Sequence, residues 1–182
     1  LLGRMKVLTI LTLQEGDSED YLKSKWFGLI NLSWRMALRR TDILTGLSNY
    51  LLERARHLGY TGTSFLIPNG VDVTRFENPS PREIGEHVVL ITTSRLNVKN
   101  GVADLIESLT HLPENVICKI AGVGELHKSL KAKVKKLKLE DRVEFSGFVS
   151  QEKLPNYLHH ADIFVRPSLS EGQGISFIEA MA

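Results

Sequence analysis

Short apolar, β-branched runs alternate along this chain with stretches whose apolar residues recur every three to four positions. The runs at 7–13, 43–46, 65–67, 88–92, 116–121, 143–145 and 163–165 read as strands, because short apolar segments bounded by turn formers suit a sheet covered on both faces. Helical periodicity covers 49–58, 102–109, 126–137 and 152–161, with a further helix within 20–38. A strand followed by a helix, repeated, predicts an α/β fold with a doubly wound parallel sheet and helices on both faces. Ligands of such sheets sit at the carboxyl ends of the strands.

The pattern is interrupted at PNGVDVTRFENPSP, residues 68–81, where Pro68, Asn69 and Gly70 form turns ahead of a polar stretch with two more prolines. Residues 1–67 are therefore expected to close one domain, 68–82 to link, and 83–182 to form most of a second. The chain opens on Leu1 and closes on Ala182 within FIEAMA, a helix-forming run with no capping Gly or Asn, so both ends are expected to be cuts in a longer parent.

Composition narrows the classes. With 182 residues, 42% of them hydrophobic, the chain can bury a sizeable core. A net charge of +2 implies no wholesale nucleic-acid binding, so any phosphate recognition is local. The lone Cys118 lies in an apolar strand, which excludes a disulfide framework and fits a reducing, cytoplasmic setting. The opening LLGRMKVLTILTL carries Arg4 and Lys6 and no small-residue cleavage site, and no run reaches the roughly 18 apolar residues of a membrane span. The six histidines show no metal-ligand spacing, and no Ser-His-Asp arrangement can be assigned.

The segment richest in chemistry is SLSEGQGISFIEAMA, residues 168–182, directly after the strand at 163–165. Gly172 and Gly174 before a helical run let backbone N–H groups approach a ligand closely, where a helix start favours anions. Glu171 and Glu179 flank this phosphate cradle, and eight helical steps would set them about 12 Å apart on nearly one face. That layout grips a nucleotide sugar at its diphosphate and at hydroxyls on both sides. From spacing alone, a tight strand-to-helix turn with two solvated carboxylates is equally good. A second segment, SRLNVKNG, follows the strand at 88–92 and offers Arg95 as a planar fork and Lys99 as a point charge at the ligand edge.

SLSEGQGISFIEAMA resembles the donor-site signature of family 4 retaining glycosyltransferases, proteins of the GT-B fold with two facing Rossmann-like domains. IPNGVDVTRF, SRLNVKNGVADLIESL, and IAGVGELHKSL followed by VEFSGFVSQEKLPNYLHHADIFVRPS agree in the same order, over roughly residues 42–182. The resemblance implies Glu171 at the donor sugar, Glu179 on the ribose hydroxyls, and the amides of Gly172, Gln173, Gly174, Ile175 and Ser176 on the diphosphate. It also places Gly122 in the donor cleft and Phe148 beside the base. Arg95 and Lys99 would stabilise the leaving diphosphate, although the family's lysine directly before the glycine is here Asn100. Gly122 and Gly124 do not complete a dinucleotide fingerprint, because His127 stands where the third glycine belongs.

Other features read more plainly. The stripe Leu126, Leu130, Val134 and Leu137 with six lysines around it predicts a solvated face over a buried seam, with weak peripheral contact to anionic lipid as the alternative. Glu15, Asp17, Glu19 and Asp20 read as a solvated acidic loop, with a place on the acceptor side as the alternative, and Ser48 as a helix cap. The expected function is transfer of a sugar, with retention, from a nucleoside diphosphate donor to an unidentified acceptor in polysaccharide or glycolipid biosynthesis. No metal or other cofactor is expected. The rivals are a non-catalytic GT-B module that holds nucleotide or a partner, and a GT-B epimerase or phosphorylase.

Overall fold

The computed structural model describes residues 7–14, 29–77 and 85–182. The chain divides into two compact units, Leu1–Asn69 with Ser170–Gln173, and Gly70–Leu169 with Gly174–Ala182. Residues 170–173 thus belong to the first unit although they lie deep in the second half of the sequence.

In the first unit, β1 (Ile10–Leu13), α1 (Leu29–Arg39), β2 (Ile43–Gly46), α2 (Asn49–His57) and β3 (Thr63–Leu66) follow one another. The strands form a parallel sheet in the order β1-β2-β3, with Ile10 opposite Ile43 and Ile43 opposite Thr63. Leu44 on the central strand is fully enclosed by Leu13, Leu38, Leu51, Leu52 and Ala55. Helix α2 starts where the Ser48 Oγ accepts from the Leu51 N–H at 3.4 Å, satisfying one of the donors a helix start leaves open. The expected strand at 65–67 begins earlier, at Thr63, and the one expected from residue 7 begins at Ile10. The acidic residues Glu15, Asp17, Glu19 and Asp20, and the first part of the helix expected within 20–38, lie outside the described residues.

The second unit repeats the design with β4 (Val88–Thr93), α3 (Val102–Ser108), β5 (Val116–Ala121), α4 (His127–Lys136), β6 (Val143–Gly147), α5 (Leu154–His159), β7 (Ile163–Phe164) and α6 (Ile175–Met181). Its sheet is parallel with order β6-β5-β4-β7. Leu90, Ile106, Leu109, Cys118, Ile120, Leu130 and Val134 close the core between this sheet and helices α3 and α4. The α4 seam is thus buried at Leu130 and Val134, with Leu126 and Leu137 packed against the same cluster. Lys133 leaves the solvated face to meet Glu107 of α3 at 2.6 Å, and its hydrogen bond and charge hold the Glu107 carboxyl below its ordinary value. Cys118 is sealed in the core, and burial pushes its thiol up to about 12.

The strand order positions the site. The chain runs outward from β4 to β5 to β6, then returns to place β7 on the opposite side of β4. Neighbouring strands β4 and β7 therefore send their connections in opposite directions, and a crevice opens outside their carboxyl ends.

A charged cleft at the strand ends

A cavity of about 360 Å³ lies in that crevice, wholly within the second unit. Its walls come from the end of β4 (Ser94, Arg95), the turn after β5 (Gly122), the turn after β6 (Phe148), Arg166 after β7, and Ile175, Ser176 and Glu179 of α6. Six of the residues singled out from sequence meet here: Arg95, Gly122, Phe148, Ile175, Ser176 and Glu179.

Close backbone approach shapes the floor. At Gly122 φ is +154°, and a Cβ there would sit 1.8 Å from the Ser94 carbonyl oxygen. Only a residue without a side chain lets the β5 turn lie against the end of β4, where Ser94 N–H donates to Ala121 O at 3.0 Å and Gly122 N–H to Gly147 O at 2.7 Å. Ahead of α6, Gly174 takes φ 73° and the helix begins only at Ile175. Residues 171–174 are consequently not helical, so the regular eight-step spacing from Glu171 to Glu179 assumed from sequence does not hold.

The charges in the cavity are two guanidinium groups, Arg95 and Arg166, and one carboxylate, Glu179. Glu179 is 9% exposed and, among the described residues, has no hydrogen-bond or ion-pair partner. A largely buried carboxylate without protein partners is costly, and as a pure acceptor it suits hydroxyl or N–H donors from a ligand. The Arg95 side chain is exposed into the same space and also has no such partner among the described residues. Phe148 is 77% exposed, an aromatic face presented at the rim rather than in the core.

The other candidates lie elsewhere. Lys99 is half-buried in the turn before α3, its carbonyl accepts from the Leu169 N–H at 2.8 Å, and it does not line the cavity. Asn100, at the position where the resemblance calls for lysine, is 3% exposed. Its Nδ2 donates to the Arg95 carbonyl at 2.6 Å, so it braces the loop that carries Arg95 and does not line the cavity. Glu171, Gly172 and Gln173 belong to the first unit. There the Gln173 amide pairs with both backbone groups of Asn69, accepting its N–H at 2.7 Å and donating to its carbonyl at 3.1 Å. Gly172 N–H donates to the Glu171 carboxylate at 3.2 Å. Among the described residues no group of three or more His, Cys, Asp or Glu side chains gathers as metal ligands, and no helix is long and apolar enough to cross a membrane.

Sequence reasoning passed over Arg166. The signal was there, since a cation in the apolar stretch IFVRPS at a strand end is out of keeping with a buried strand and in keeping with a ligand edge.

A Rossmann-like parallel sheet with a cleft at its strand ends is the arrangement of a GT-B fold. The chain belongs to the family Glycosyl transferases group 1, which it matches over residues 74–182. It is 28% identical over 159 residues to a putative colanic acid biosynthesis glycosyltransferase of Salmonella typhimurium, covering 82% of this chain and 39% of that protein. It is 30% identical over 171 residues to the GDP-mannose-dependent alpha-(1-6)-phosphatidylinositol monomannoside mannosyltransferase of Mycobacterium tuberculosis, covering 81% of this chain and 44% of that protein. In fold it is similar to Anabaena HepE, crystallised in complex with UDP, with a TM-score of 0.81, 22% identity, and coverage of 96% of this chain and 50% of that one. The chain thus spans less than half the length of these two curated relatives.

Proposed function

We propose that the protein containing this chain transfers a sugar from a nucleoside diphosphate donor to an acceptor, with retention of configuration, and that the cleft of the second unit holds the donor. The observation that carries this reading is the Glu179 carboxylate, nearly buried and without a protein partner among the described residues, facing a cavity it shares with the Arg95 guanidinium. Vicinal ribose hydroxyls supply the donors Glu179 lacks, and a diphosphate supplies the anion that suits Arg95. Phe148 at the rim suits the flat face of a base.

In this reading catalysis is electrostatic. Negative charge builds on the departing diphosphate, and Arg95, held by a loop that Asn100 braces, stabilises it without a bound metal. Ile175 and Ser176, which line the cavity at the start of α6, meet the diphosphate beside Arg95. The relatives support a donor of this class: one is GDP-mannose-dependent by name and a structural neighbour was crystallised with UDP. The reaction would take place in the cytoplasm, with at most weak contact between the α4 lysines and a membrane surface.

Calorimetric titration of the intact protein with UDP and with GDP tests the reading. Replacing the carboxylate by Glu179→Ala should weaken the better of the two nucleotides by about tenfold or more, because hydrogen bonds to a charged group are lost. An unchanged affinity would remove Glu179 from the donor site.

A further inference from the structure

Arg166 stands at the centre of a hydrogen-bond pattern that the donor reading leaves unused. Its Nη1 donates to the Ser176 Oγ at 2.6 Å and to the Thr93 carbonyl at 3.2 Å, while Nε donates to the Ser168 Oγ at 3.1 Å. One planar group therefore ties the end of β4, the loop after β7 and the first turn of α6. An ammonium on a flexible stem cannot hold three acceptors in this fixed fork.

The consequence lies in the Ser176 hydroxyl. A guanidinium only donates, so toward Arg166 the hydroxyl must accept, and its own hydrogen points elsewhere. Among the described residues no acceptor takes that hydrogen. Ser176 is 4% exposed and lines the cavity, so the hydroxyl is a buried donor beside the cleft. Accepting from a cation also polarises the O–H and makes it a stronger donor.

We propose that Arg166 is a positioning residue that acts through Ser176: it aims the Ser176 hydroxyl at a phosphate oxygen of the bound nucleotide and adds its own positive charge to that wall. The inference rests on the reading of the cleft as a nucleoside diphosphate site, and assigns within it a residue pair whose work is done by side chains.

Calorimetry on the intact protein with UDP and GDP, for wild type, R166K, S176A and the R166K/S176A double variant, tests it. R166K keeps the charge but loses the fork, and should weaken the nucleoside diphosphate by about tenfold. S176A should weaken it comparably, and the double variant should lose no more than the worse single variant, because both changes remove one and the same contact. Inorganic pyrophosphate should displace the nucleotide from wild type and do so less well from R166K, which locates the loss at the phosphates. Melting temperatures measured alongside separate this from a merely structural role, and S176A serves as the readout if R166K folds poorly. Losses that add, or R166K affinity within about twofold of wild type, overturn the inference while leaving the donor site in place. A wild type that binds neither UDP nor GDP overturns the donor reading and the inference with it.

Discussion

Gly122→Ala concentrates the argument about how this fold builds its cleft. The added Cβ would meet the Ser94 carbonyl oxygen at 1.8 Å and the Ser94 carbonyl carbon at 2.9 Å, against 3.4–4 Å for ordinary contact. Both partners are backbone, so no flexible side chain can swing aside, and the ends of β4 and β5 must part by well over an ångström. That movement strains the bonds Ser94 N–H to Ala121 O and Gly122 N–H to Gly147 O, each with a net worth of about 1 kcal/mol. Overpacking of this kind costs about 1–3 kcal/mol by itself, and φ +154° is a conformation that alanine resists. Together these give a destabilisation of about 3 kcal/mol, or roughly 10 °C in the melting temperature of a domain this size. Thermal denaturation followed by circular dichroism reads it directly. Gly70→Ala is the control, because a Cβ there meets nothing within 4 Å. Since Ser94 and Gly122 also line the cavity, Gly122→Ala should weaken nucleotide binding in the same preparation. A variant that melts within about 2 °C of wild type and binds nucleotide normally would refute the claim that backbone contact forms the floor of the cleft.

Three further residues give outcomes that can be measured. Asn100→Ala removes the 2.6 Å bond to the Arg95 carbonyl, but it also removes an Oδ1 that is buried without a hydrogen-bond partner. The two effects oppose, so chemical denaturation should show a loss of about 1 kcal/mol rather than the 3 that a fully satisfied buried amide can reach. Cys118, with its thiol pushed up to about 12, should resist a thiol reagent at pH 8 in the folded protein and react within the mixing time once unfolded. The sign of its linkage follows: the folded state holds the proton more tightly, so its contribution to stability is complete below the ordinary thiol value of about 8.5 and is lost as pH rises toward about 12. Denaturation curves of wild type and Cys118→Ala at pH 7 and pH 10 should converge as pH rises, and parallel behaviour would contradict it. Finally, Gln173→Ala breaks both bonds to Asn69 and should raise amide hydrogen exchange in residues 170–173, read by mass spectrometry, with little change in the exchange of β5.

Much of the fold was legible in the chain because local patterns cause it. The alternation of apolar runs with helical stripes anticipated β2 and β5 to the residue, the α4 seam, the Ser48 cap and the burial of Cys118. Periodicity and cap chemistry act over a few residues, so a short window contains their whole cause. The cleft was legible in part: strand ends hold ligands in parallel sheets, which singled out Arg95, the glycine turn singled out Glu179 beside it, and the family resemblance supplied Gly122 and Ser176, all four of which line the cavity.

What sequence order concealed was every interaction made across distance. Arg166 reaches Thr93 over 73 positions and Gln173 reaches Asn69 over 104. Nothing local tells that an arginine beside a proline will orient a serine, or that residues 170–173 will join the first unit. Asn100 illustrates the same limit, since as a letter it stands where a cation was due, and in three dimensions it is the buried brace of the loop that carries Arg95. Local composition decides which segments become strand, helix and turn. Which side chains share a cavity is decided by the order in which strands pair, and that order exists only once the sheet has formed.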